Sequence, residues 1–212
     1  MSYSDEGDDF EDEDEPPQPL RPPSPEELQR RKKRTELWRL FSEVNTTVKC
    51  MKIVGELNRL CSELREGFLV FAYRALFDDA LSSLMRVLDN HPGAFSIWKL
   101  DEETIEAVCL ERKIDLARVR AFSTKLKTAR DKLQFHIDRR HVENPERLWT
   151  ELDIRHSEIT EISHNLATII GDILLVEHNF PANLSKYDAG DVEPIIEQLR
   201  RANLGNFRTR SN

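Results

Sequence analysis

Ile159, Ile162, Leu166, Ile169 and Ile173 follow one another in steps of three and four residues within "HSEITEISHNLATIIGDILLVEHN". That step is the period of one helix face, and it constrains the fold most because it recurs along the chain. It runs through Leu37, Leu40, Phe41 and Val44, then through Met51, Val54, Leu57, Leu60 and Leu64. It returns in Leu116, Val119, Phe122, Leu126, Leu133 and Ile137. Sheet signals are lacking: there is no convincing alternating run, no Asn-Gly or Asp-Gly turn, and only 7 glycines in 212 residues. The expected class is all-α, an antiparallel helical bundle without internal repeats.

Local signals set the expected boundaries. Ser24 as N-cap, Pro25 at the first helical position and Glu27 three residues after the cap form a capping box. A central helix is expected from about Gly67 to "DNHPG", where Pro92 and Gly93 break it. "SIWKL" reads as a short helical turn, Asp101 as the cap of "EETIEAVCLER", and Asp115 as the cap of a long helix reaching "LQFHI". "ERLWTELDIRHSEITEISHNLATIIGDILLVEHN" reads as mostly helical, and "DVEPIIEQLRRAN" as one more short helix. The expected organisation is a tail over 1–23, a bundle over 24–180 and a C-terminal extension over 181–212.

Charge sharpens that division. Residues 1–20 hold nine acidic side chains and no Lys or Arg, so a total charge of −8 leaves +1 over the remainder. The tail is too polar and proline-rich to build a core and is expected to be disordered. The rest is nearly neutral, so the low pI does not argue against a nucleic-acid partner. Cys50, Cys61 and Cys109 form no CxxC pair, which argues against a disulfide framework or a structural zinc site and for a cytoplasmic location. No signal-peptide pattern opens the chain, and Arg74, Asp78, Asp79 and Arg86 make the apolar stretch Gly67–Leu88 a poor membrane span.

Phosphate loops, GxSxG elbows and HExxH pairs are absent from the sequence. His156 and His164, with Glu158 and Glu161 between them, could ligate a metal, but no Glu-x-x-His partner accompanies them and solvated surface histidines are the commoner outcome. No metal or other cofactor is implied. There remain Arg130, Asp131 and His136 in "KTARDKLQFHIDRRH". Arginine holds a phosphate through two parallel hydrogen bonds, and histidine exchanges protons near neutrality. Together they suit metal-free RNA cleavage, in which a 2′-hydroxyl attacks the neighbouring phosphorus. On a regular helix, however, positions six apart point ~120° away from each other. Lys132 is the nearer neighbour of His136. Residue types alone leave both a catalytic pair and a solvated helix face open.

"ARDKLQFHID" resembles the R-x(4–6)-H signature of HEPN domains, and the wider pattern is similar to their abortive-infection branch. There, a helix like "YRALFDDALSSLMRVLDNHPGAFSIWKL" precedes the motif, and an Asp follows the histidine at the second position. The resemblance covers about Glu36 to Glu177. It implies an all-α homodimer whose two motifs line one cleft, often a ribonuclease of toxin–antitoxin or phage-defence systems and sometimes a binding module. Arg130 then becomes the phosphate-binding arginine, His136 the catalytic histidine, Asp131 the polar residue of the motif and Asp138 a supporting acid. Lys127, Lys132, Arg139 and Arg140 become RNA contacts. RNA and a cognate antitoxin or regulatory protein are the implied partners. Phe135 departs from the small residue common before the histidine. The acidic tail, a possible mimic of nucleic acid, could also cover Lys125 and the other basic residues around the motif.

Overall fold

The computed structural model describes residues 22–61, 68–132, 149–198 and 201, and the acidic residues 1–21 fall outside that range. The described residues contain no strand. The principal helices are α1 (Pro25–Cys61), α2 (Phe68–Leu88), α3 (Glu102–Arg112), α4 (Leu116–Arg130) and α5 (His156–His178), with a 3₁₀ turn at Ile97–Lys99. Short helical stretches occupy 149–151 and 192–198.

The capping box forms as the sequence implies. Ser24 N donates to Glu27 Oε2 at 2.7 Å, and Glu27 N donates to Ser24 Oγ at 3.2 Å. Its helix is longer than the two apolar patterns suggest, because nothing between them stops it. Gly55 lies inside α1 with nothing within 4 Å of an added Cβ, and a lone interior glycine costs only ~1 kcal/mol relative to Ala. The 37 residues form a rod ~55 Å long.

That rod is the spine of the bundle. It packs against α2 on one side and α5 on another, while α3 lies on α5 and α4 on α2. The core joins Leu37, Phe41, Val44 and Val54 of α1 to Ala80, Leu84 and Val87 of α2, Phe122 of α4, and the α5 stripe read from the sequence. Thr47 makes a polar crossing between α1 and α2: its buried hydroxyl reaches Glu43 O at 3.1 Å and Ala80 O at 3.2 Å.

Asp101 and Asp115 cap α3 and α4 through Thr104 N (2.9 Å) and Arg118 N (3.0 Å). The long helical reading of 146–179 is interrupted. Asp153, at φ 48°, and Ile154 bond back to Thr150 O and Trp149 O, a left-handed helix stop, before α5 begins at His156. Lys113 closes α3 in the same way, at φ 58°. The segment after α5 returns along α1: Ser185 N donates to Asn45 Oδ1, Lys52 Nζ donates to Tyr187 O, and Leu57 joins Ala189, Val192 and Ile196 in a second small core.

Among the described residues, α5 is the one helix long and apolar enough to cross a membrane by length and composition. Half of that span is buried within the bundle.

Candidate functional site

α4 lies on α2 where the R-x5-H motif begins. Ser123 of α4 donates its hydroxyl to Leu88 O at the end of α2, and two turns later Arg130 reaches Asp89, just past that end. Ser82, Met85, Arg86 and Asp89 stand at i, i+3, i+4 and i+7, and therefore share one face. With Arg130 they line a groove of about 220 Å³.

Carboxylates from two directions hold the Arg130 guanidinium. Nη1 lies 3.3 Å from Asp89 Oδ1, and Nε lies 3.3 Å from Asp131 Oδ1. The Arg130 side chain is 24% exposed. Asp89 is itself fixed, because the same Oδ1 accepts the His91 amide at 3.0 Å. Both contacts to Arg130 are longer than the ~2.7–2.9 Å of a tight charge-assisted bond. The two carboxylates thus orient the guanidinium in the groove.

The helix changes form at this point. Asp131 N donates to both Lys127 O and Thr128 O, and Asp131 and Lys132 adopt a π-helical turn. Such widenings are frequent at functional sites. Lys127 is exposed, while Asp131 and Lys132 are half-buried. His136, Asp138, Arg139 and Arg140 lie outside the described residues.

Lys125 is committed elsewhere: its ammonium bonds Asp153 O and both oxygens of Glu158 at 3.0–3.1 Å. It therefore makes a clip between α4 and α5 rather than an open charge for the acidic tail to cover.

His156 is a correction to the reading of solvated histidines. It is half-buried, stacks on Phe77 at 5.0 Å between centroids, and shares a 2.9 Å hydrogen bond with the Tyr73 hydroxyl. Burial pushes its pKa below the ordinary value. Phe77 and Arg86 are nine positions apart on α2, ~13 Å along its axis, so His156 stands away from Arg130. His164 is exposed, with Nδ1 2.7 Å from Thr160 O. Among the described residues, no group of three or more His, Cys, Asp or Glu could hold a metal ion.

Arg86 and Asp89 are the site residues that the motif alone did not reveal. Their signal is a charged i, i+3 pair at the end of α2, which becomes meaningful only once α4 lies across it. No family model matches the chain, and neither a curated protein nor a solved structure is found to be similar to it.

Proposed function

We propose that the chain is a metal-independent endoribonuclease of HEPN type, acting as a cytoplasmic homodimer in a toxin–antitoxin or phage-defence setting. The observation that carries this reading is Arg130: half-buried, aimed by Asp89 and Asp131, at the edge of an open groove where the helix widens at Asp131 and Lys132. Arg130 binds the scissile phosphate and stabilises the charge that grows on its oxygens. His136 takes the proton from the ribose 2′-hydroxyl as that oxygen attacks phosphorus. The bond from phosphorus to the 5′-oxygen breaks, and the partner subunit's His136 protonates the leaving oxygen. The products are a 2′,3′-cyclic phosphate and a free 5′-hydroxyl.

One observation favours a second reading, a catalytically silent module that binds RNA or protein. Asp89 and Asp131 also make Arg130 a tether between the ends of α2 and α4, which is a structural use in its own right.

Total RNA incubated with purified protein in EDTA separates the two. The ribonuclease yields fragments ending in cyclic phosphate, and His136→Ala lowers the rate at least ~10²-fold. Full activity in His136→Ala removes the ribonuclease reading. Arg130→Lys is also expected to be poor, because an ammonium does not reproduce a planar fork. Light scattering checks the assembly: a monomer that still cleaves at micromolar concentration overturns the dimer.

A further inference from the structure

The α2–α4 groove holds a second arginine that the motif does not include. Arg86 lines it from α2, with a side chain 55% exposed. One terminal nitrogen anchors it: Nη2 donates to Glu43 Oε2 of α1 at 2.7 Å and to Ser83 Oγ at 2.9 Å. Its Nε and Nη1 have no hydrogen-bond partner among the described residues. A guanidinium carries five N–H donors in a rigid fork, so fixing one nitrogen orients the others without using them.

Arg130 enters the same groove from α4, held by carboxylates at 3.3 Å. Two oriented forks from two helices thus share one groove of about 220 Å³. That space suits a single phosphate with part of its sugar and is far too small for a duplex. Ser82 adds a hydroxyl to the wall.

We propose that Arg86 and Arg130 together clamp one phosphate of a single-stranded RNA backbone in this groove. The inference rests on the RNA-directed reading above and names the contact that positions the strand. Arg86 is a binding residue, and Glu43 and Ser83 are its positioning partners. The single strand follows from the chemistry, because attack by the 2′-oxygen in line with the leaving oxygen is not available within a regular A-form helix.

The test uses the full chain and a labelled 2′-O-methyl oligonucleotide in EDTA. This probe presents phosphates but offers no 2′-hydroxyl to attack, so binding is read apart from cleavage. Fluorescence anisotropy is expected to show affinity about five- to tenfold weaker for Arg86→Ala and for Arg130→Ala, with the slope of log affinity against log salt shallower by ~0.7 in each. The double variant should lose less than the product of the two single losses, because both side chains serve one phosphate. Arg118→Ala, which removes an equal charge outside the groove, should bind as wild type does. Arg86→Gln, which retains much of the side-chain volume, replaces Arg86→Ala if that variant melts early.

Unchanged affinity in both Arg86 variants overturns the clamp. So does a loss no greater than that of Arg118→Ala, strict multiplicativity in the double variant, or failure of the wild type to bind the probe. Cleavage of natural RNA by wild type, and its dependence on His136, then judges the ribonuclease reading separately. Binding through both arginines without cleavage sustains the clamp and removes the enzyme.

Discussion

Arg118 and Arg130 sit twelve positions apart on the same helix and meet opposite fates. Arg118, at the capped start of α4, forms one short ion pair with Glu161 of α5, Nη1 to Oε1 at 2.6 Å, with both side chains almost half exposed. Arg130, at the widened end, is more buried and is shared by two carboxylates at 3.3 Å. A short exposed pair is a finished contact, weakened by solvent and worth ~0–1 kcal/mol. A half-buried guanidinium in the wall of a groove is placed beside any anion that enters it. Position along one helix thus separates an arginine that clips the bundle from one that lines the α2–α4 groove.

The largest effect should come from the helix that carries both. Phe122 is fully buried between them, and Phe122→Ala should cost ~3–5 kcal/mol in chemical denaturation, loosening both ends of α4 together. A loss below ~1 kcal/mol would show that α4 is not rigidly held.

Next comes the activity contrast. Arg130→Ala should lower RNA cleavage at least ~10²-fold at little cost in melting temperature, whereas Arg118→Ala should cleave as wild type does. Equal activity in the two variants would erase the distinction. Asp115→Ala removes the cap beside Arg118 and should cost ~1 kcal/mol of stability, leaving cleavage unchanged. Smallest of all, Arg118→Ala should lower stability by no more than ~1 kcal/mol, with a dependence on salt that Phe122→Ala does not share.

The helical class and the helix starts were legible because their causes are local. A cap, a proline and an i, i+3, i+4 stripe lie within a few residues of one another, as Ser24–Glu27, Asp101 and Asp115 show. The helix stops were harder to read. Lys113, Asp153 and Asn179 take the left-handed conformation that glycine usually signals, and α5 starts after Arg155 with no side-chain cap. A chain poor in glycine hides its boundaries in residues that look helical.

The candidate site was legible on one side only. The motif marked Arg130 and Asp131, but Asp89 is 41 residues from Arg130 and becomes its partner only through the packing of α4 on α2. His156 was misread for a similar reason. Its neighbours in sequence are polar, while its neighbours in space are Tyr73 and Phe77.

The continuous α1 spine also governs how the molecule opens. One helix passes from an exposed first stretch, through Leu37 to Val54 in the main core, to Leu57 in the small core under the C-terminal segment. Its backbone amides should therefore exchange with solvent deuterium in a gradient along the rod, fast before Leu37 and slowest from Leu40 to Val54, where release requires global opening. Near Leu57 the rate should be intermediate and should rise when Ile196→Ala loosens the small core. One rod then reports, residue by residue, how firmly each core grips it.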